Sequence, residues 1–198
     1  MLAWETDSPI LCLFYHLQIT FWRKGGQNEF FKKVGCSSFD FGWLQSCFLA
    51  GTLIKYPDGT SKPIEQVQVG DEVLSYDILN KKYARAEVLE LYSRVRDGYN
   101  ILSFSDGTKL EVTDEHPIYT KRGWASVNPD ATEKNTHLEM VALAQGDLVF
   151  KDGNSWITIS KIESIKKEVK IYNLRVSDYN TFFAGDVLVH NKLKFINE

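Results

Sequence analysis

The chain has 198 residues, with 23 basic and 26 acidic side chains and a formal net charge of −3. That length supports one domain with a proper core plus appendages. The basic residues are scattered, which argues against a nucleic-acid surface, and the high aromatic and low proline content argues against bulk disorder.

The first stretch of interest, residues 10–22, is apolar but holds His16 and Gln18. It is shorter than the roughly 20 apolar residues that a spanning helix needs. Glu5 and Asp7 precede it and Arg23 and Lys24 follow it, the reverse of a secretory signal. No membrane association is therefore expected, and residues 1–46 read as an upstream flank. Gly25-Gly26 punctuates this flank, and residues 29–46 are aromatic and irregular. The three cysteines, Cys12, Cys36 and Cys47, do not describe a disulfide framework. Cys12 and Cys36 read as small buried hydrophobes. At least one thiol stays unpaired, so a reducing, cytoplasmic compartment is the simpler expectation.

From Cys47 onward the texture changes to short runs rich in Val, Ile, Leu, Tyr and Phe between turn signals. Asp58-Gly59, Asp97-Gly98, Asp106-Gly107 and Asp152-Gly153 are hairpin-type dipeptides. Runs such as Glu72-Val73-Leu74-Ser75-Tyr76, Tyr99-Asn100-Ile101-Leu102-Ser103-Phe104 and Ser155-Trp156-Ile157-Thr158-Ile159 predict strands. Residues 130–140 are polar and predict a loop or a short helix. The fold class expected is all-β. A weak internal repeat also appears: Gly70-Asp71 and Gly146-Asp147 each lead into an apolar strand. Asp71 and Asp147 read as turn formers rather than as a carboxylate pair.

Three groups carry chemistry. A Cys47 thiolate could attack the carbonyl of Ser46 and convert that amide to a thioester, provided the departing nitrogen is protonated and the carbonyl polarised. Thr113 and His116, in Leu110-Glu111-Val112-Thr113-Asp114-Glu115-His116-Pro117, have the spacing to converge on one peptide bond after a tight turn, and Pro117 holds His116 extended. Asn191 could attack its own carbonyl, close a succinimide and expel the nitrogen of Lys192, with the adjacent His190 assisting. Taken singly, each has a plainer reading: a buried thiol, a capped turn with a surface histidine, and a polar turn after a strand. His16 and His137 have no partners at metal spacing, and there is no phosphate loop, so neither a metal nor a cofactor is expected.

Taken in order, these signals resemble the Hint superfamily of self-processing domains, which includes inteins, bacterial intein-like domains and the autoprocessing domain of Hedgehog proteins. Cys47-Phe48-Leu49-Ala50-Gly51-Thr52-Leu53-Ile54 resembles the opening motif of that superfamily. Glu111-Val112-Thr113-Asp114-Glu115-His116-Pro117-Ile118-Tyr119 resembles its Thr-x-x-His motif. Ile171-Tyr172-Asn173-Leu174, Asn180-Thr181-Phe182-Phe183-Ala184-Gly185 and Val187-Leu188-Val189-His190-Asn191 resemble its closing motifs. The resemblance implies a horseshoe-like all-β fold with pseudo-two-fold symmetry over residues 47–191, in a minimal form without an endonuclease. Residues 1–46 and 192–198 are then flanks. It implies that Cys47 is the first nucleophile, that Thr113 and His116 activate the amide before it, and that Asn191 cyclises with help from His190. The substrate would be the chain's own flanking segments, and a monomer is expected.

Three positions depart from the pattern: Asn173 stands where many inteins have an Asp, Asn180 where a further His is common, and Lys192 where splicing uses Cys, Ser or Thr. Lys192 removes the usual acceptor for ligation, so cleavage at one or both junctions is expected, with splicing minor or absent. Two other readings remain open. One is a Hedgehog-type transfer, which needs no terminal His-Asn pair. The other is an inactive β scaffold that binds a partner.

Overall fold

The computed structural model describes residues 46–136 and 138–191. The readings made for Cys12, Cys36, residues 10–22, His16, His137 and Lys192 lie outside the described residues.

The chain enters through β1 (Phe48–Leu49) and the hairpin of β2 (Leu53–Lys55) and β3 (Ser61–Pro63), followed by a single 3₁₀ turn at Ile64–Gln66. Next come β4 (Glu72–Asp77), the long β5 (Lys82–Arg96), β6 (Tyr99–Phe104) and β7 (Lys109–Val112). The second half holds β8 (Ile118–Thr120), β9 (Gly123–Ser126), the only helix among the described residues, α1 (Pro129–Thr136), and the short β10 (Val141–Ala142). It closes with β11 (Leu148–Lys151), β12 (Ser155–Ile165), β13 (Val169–Val176), β14 (Thr181–Ala184) and β15 (Val187–His190). The strands join one open sheet, ordered β3-β2-β14-β15-β8-β11-β12-β6-β7-β1-β13-β5-β4, with β9 and β10 attached beside β8. The all-β expectation stands, and the polar stretch after residue 128 resolves into α1. Pro129 has the preset φ for a first helical position, and the Asn128 side chain caps the Ala131 N–H at 3.2 Å.

Three of the four Asp-Gly dipeptides turn hairpins: β2–β3, β6–β7 and β11–β12, with Gly59, Gly107 and Gly153 at positive φ. Asp97-Gly98 does not. It joins β5 to β6, which do not pair; β5 pairs with β13 and β6 with β12. Gly98 lacks a positive φ, and a side chain there would meet the Ile165 carbonyl at 3.2 Å. Its role is close passage of two chain segments, which the dipeptide rule does not distinguish from a turn.

The internal repeat is structural. Gly70 N–H donates to the Val88 carbonyl and Val88 N–H to the Asp71 carbonyl, at 2.8 and 2.9 Å. Gly146 and Asp147 make the same pair of bonds with Ile159, at 2.8 and 2.9 Å. Each aspartate carboxylate also receives a backbone N–H from three residues earlier, Gln68 in one half and Ala144 in the other. Just past Val88 and Ile159 the β5·β13 and β12·β6 ladders each shift register by a bulge. Exchanging β5 with β12 and β6 with β13 maps one ladder onto the other. This is the pseudo-two-fold relation, and the bulges bend both long strands at equivalent points.

Residues from both halves form one large apolar cluster that includes Phe48, Ile54, Leu102, Ile118, Ile159, Leu174, Phe182 and Val189. Fully burying side chains of this size contributes about 1.5–3 kcal/mol each. β14 and β15 are buried at every residue. They meet through Gly185 and Asp186, both at positive φ, as a two-residue type I′ turn requires. That turn fixes the register Ala184↔Val187 through Thr181↔His190, and so fixes where His190 and Asn191 emerge.

Candidate functional site: two peptide junctions against one turn

The segment from Thr113 to Pro117 links β7 to β8 and touches both ends of the domain. Its position is overdetermined. The Asp114 carbonyl accepts the Asn128 N–H at 2.8 Å, and its carboxylate accepts the Asn100 amide at 2.5 Å. Asn100 is in turn held by the Ser164 hydroxyl at 2.7 Å. The Glu115 carboxylate pairs with Arg96 at 2.7 Å, and its carbonyl lies 3.1 Å from the Thr132 hydroxyl on α1. Strands β5, β6 and β12 and the helix therefore strap this turn in place.

At the upstream junction, the Thr113 hydroxyl accepts the Cys47 N–H and the Thr113 N–H donates to the Cys47 carbonyl, both at 2.9 Å. Cys47 is thus held from both sides of its backbone, and its thiol is buried. The Ser46 carbonyl accepts a hydrogen bond from Asn173 Nδ2 at 2.5 Å. The His116 ring packs against Phe48 at a tilt of 52°, with centroids 4.0 Å apart. Burial, and to a lesser extent the neighbouring His190, push the His116 pKa down to about 3, partly offset by the Ser46 backbone. Neither ring nitrogen has a well-formed hydrogen-bond partner. The imidazole is therefore neutral at physiological pH, and its nitrogens are available for proton transfer.

At the downstream junction, His190 N–H donates to the Pro117 carbonyl at 3.1 Å, one residue after His116. His190 Nδ1 lies 2.7 Å from the Asn191 carbonyl oxygen. A carbonyl only accepts, so this contact places the proton on Nδ1. Burial lowers the His190 pKa, and the Asn191 backbone opposes that shift. The ring meets Trp124 edge to face at 5.2 Å. Asn191 is fully buried; its N–H donates to the Asn180 carbonyl at 2.8 Å and its Nδ2 to the Val176 carbonyl at 2.9 Å, while Oδ1 has no partner. The arrangement can hold two amide carbonyls against hydrogen-bond donors, with a thiol at one and a carboxamide at the other.

A family model for the pretoxin HINT domain matches residues 53–192. The chain belongs to this family. Among solved structures it is similar to the bacterial intein-like domain from Clostridium thermocellum, with 27% identity over 73% of this chain and 98% of that one, at a TM-score of 0.61. It is also similar to the gp41-1 intein, with 26% identity over 74% and 98% of the two chains, at a TM-score of 0.58. A DnaB intein from Synechocystis sp. PCC 6803 shares the fold, with 19% identity over 75% and 99% and a TM-score of 0.61. No curated protein matches. This is the fold of self-processing domains, so the Hint resemblance and its all-β horseshoe stand.

Of the residues singled out in sequence, Cys47, Thr113 and His116 gather at one junction of this HINT domain, and His190 and Asn191 form the other. Sequence reasoning treated Asn173 only as a departure, whereas its side chain binds the Ser46 carbonyl. Asn180 occupies a left-handed conformation with φ +55°, which asparagine tolerates better than most residues. Its contribution to Asn191 is its backbone carbonyl. No group of His, Cys, Asp and Glu among the described residues is arranged to hold a metal ion, and no helix there is long and apolar enough to cross a membrane.

Proposed function

We propose that this domain cleaves its own chain at the Ser46–Cys47 and Asn191–Lys192 bonds, acting as a monomer on its flanking segments. The observation that carries the reading is the convergence of both junctions on the turn from Thr113 to Pro117: Thr113 brackets Cys47, and Pro117 receives His190.

In the upstream step, Cys47 Sγ bonds to the Ser46 carbonyl carbon and the Ser46–Cys47 amide bond breaks. The thiol proton passes to the neutral His116 imidazole and from it to the departing Cys47 nitrogen, leaving a thioester and an amine. The lowered His116 pKa keeps the ring neutral at rest and makes the imidazolium, once formed, a strong acid toward the departing nitrogen, while burial weakens the ring as a base in the first transfer. Water or an added thiol then releases the upstream flank.

In the downstream step, Asn191 Nδ2 leaves the Val176 carbonyl and attacks its own backbone carbon. The bond to Lys192 breaks, the side-chain nitrogen loses a proton and the Lys192 nitrogen gains one. His190 Nδ1–H stabilises the oxyanion that forms at the carbonyl it already contacts. With no hydroxyl or thiol at position 192, the flanks are released rather than joined.

Mass spectrometry of the purified chain tests the assignment. Cys47→Ala is expected to block only the upstream cut and Asn191→Ala only the downstream one. An intact native chain after long incubation with thiol would favour an inactive scaffold instead.

A further inference from the structure

We infer that Asn173 is a catalytic residue of the upstream step, a neutral hydrogen-bond donor, independent of pH, to the oxyanion that forms on Ser46. The inference rests on the self-cleavage reading above and adds a residue to it. Two backbone groups fix the orientation of the Asn173 amide. Leu174 N–H donates to Oδ1 at 2.7 Å, and an N–H can only be satisfied by the oxygen of the amide. Nδ2 must then face the opposite way, where it meets the Ser46 carbonyl, a group that only accepts, at 2.5 Å. Asn173 is 2% exposed, so water does not compete for this bond. Its backbone lies in β13, which pairs directly with β1 beside Cys47, so the donor is set on a rigid ladder and not on a loop.

The donor meets the carbonyl whose oxygen gains charge as Cys47 Sγ attacks. The nitrogen side of the same bond is held separately by the Thr113 hydroxyl. The scissile amide is thus gripped at both ends before any chemistry. A carboxylic acid at position 173 could make the same hydrogen bond only while protonated; as a carboxylate it would face the carbonyl oxygen with another acceptor. The amide therefore keeps the donor in place at every pH, and it has no proton of its own to pass to the downstream junction.

The test is the rate of upstream cleavage by an added thiol, followed by mass spectrometry across a pH series in the native chain, Asn173→Leu and Asn173→Asp. Removing one oxyanion donor typically costs roughly a hundredfold to a thousandfold in rate. Asn173→Leu is expected to lose upstream cleavage by about that factor while the cut after Asn191 continues, which also reports that the domain is folded. Asn173→Asp retains an acceptor for Leu174 N–H and is expected to cleave upstream best in acid, losing rate as pH rises through the pKa of the new carboxyl; the native chain should show no such fall. Upstream cleavage in Asn173→Leu within about twofold of native would overturn the inference and leave the self-cleavage reading intact. So would an Asn173→Asp profile parallel to the native one, the decisive result should the leucine variant not fold. Absence of upstream cleavage in the native chain, or its persistence in Cys47→Ala, would overturn the reading and the inference together.

Discussion

Two buried histidines set how this molecule responds to acid. His116 and His190 both have pKa values held below the ordinary imidazole value, chiefly by burial. In the unfolded chain each titrates near 6.5. Between that value and the folded pKa, which is about 3 for His116, the unfolded chain binds a proton that the folded chain does not. Stability therefore rises with pH through this window and is lost as pH falls below about 6.5, by at most about 1.4 kcal/mol per pH unit for each histidine. Carboxylates with lowered pKa values, such as Asp106 at about 2, add acid sensitivity in a lower window, as pH falls from the ordinary carboxyl value of 3.8 towards 2. Denaturant midpoints measured at pH 7 and pH 5 should drop for the native chain and drop less for His116→Gln. Equal drops would show that His116 is not the source. The chemistry at this scale was legible where a residue type is rare and specific: the Cys47 thiol, the Thr113-x-x-His116 spacing and the His190-Asn191 pair. Asn173 was not legible, because the same amide reads as an absent acid in sequence and as a donor only when Leu174 and Ser46 are seen on its two sides.

The turn from Thr113 to Pro117 is held by elements that are distant in sequence, among them the Arg96–Glu115 ion pair. Glu115 is buried and Arg96 is partly buried. Removing one partner of a buried pair costs about 3–5 kcal/mol, because the other charge is left uncompensated. Arg96→Met is therefore expected to lower the denaturation midpoint strongly and slow upstream cleavage. Adding Glu115→Gln removes the orphaned charge and should recover much of the stability. Additive losses in the double variant would show that the two residues do not act as a pair. Hairpins such as those at Asp58-Gly59 and Asp152-Gly153 were readable because an Asp-Gly pair between apolar runs encodes its own turn. Asp97-Gly98 has the same letters but serves close passage beside Ile165, a contact set by tertiary structure. The β14–β15 turn was not among the turn signals, because Gly185-Asp186 reverses the usual Asp-Gly order, although both residues take the positive φ that a type I′ turn requires.

Across the described residues, the two-fold relation explains how Cys47 and Asn191, distant in sequence, are brought to one turn. The long strands β5 and β12 each pair with the other half's return strand, so β1 docks against β13 and β15 against β8. Both junctions then meet at one turn. The repeat was visible in sequence only as two Gly-Asp pairs, because the positions that define it are backbone hydrogen bonds and bulges, which constrain side-chain identity weakly. The motif order exposed the fold class because each motif serves a junction, and the junctions are what this symmetry assembles. The central claim is that this assembly breaks the chain at two defined bonds. The most direct measurement is the intact mass of every species formed when the purified chain is incubated with a small thiol. The expected products are residues 1–46 as a thioester of the added thiol, and residues 47–191 ending in a succinimide, one water lighter than the hydrolysed acid. A chain that stays whole, or breaks only at other bonds, would contradict it.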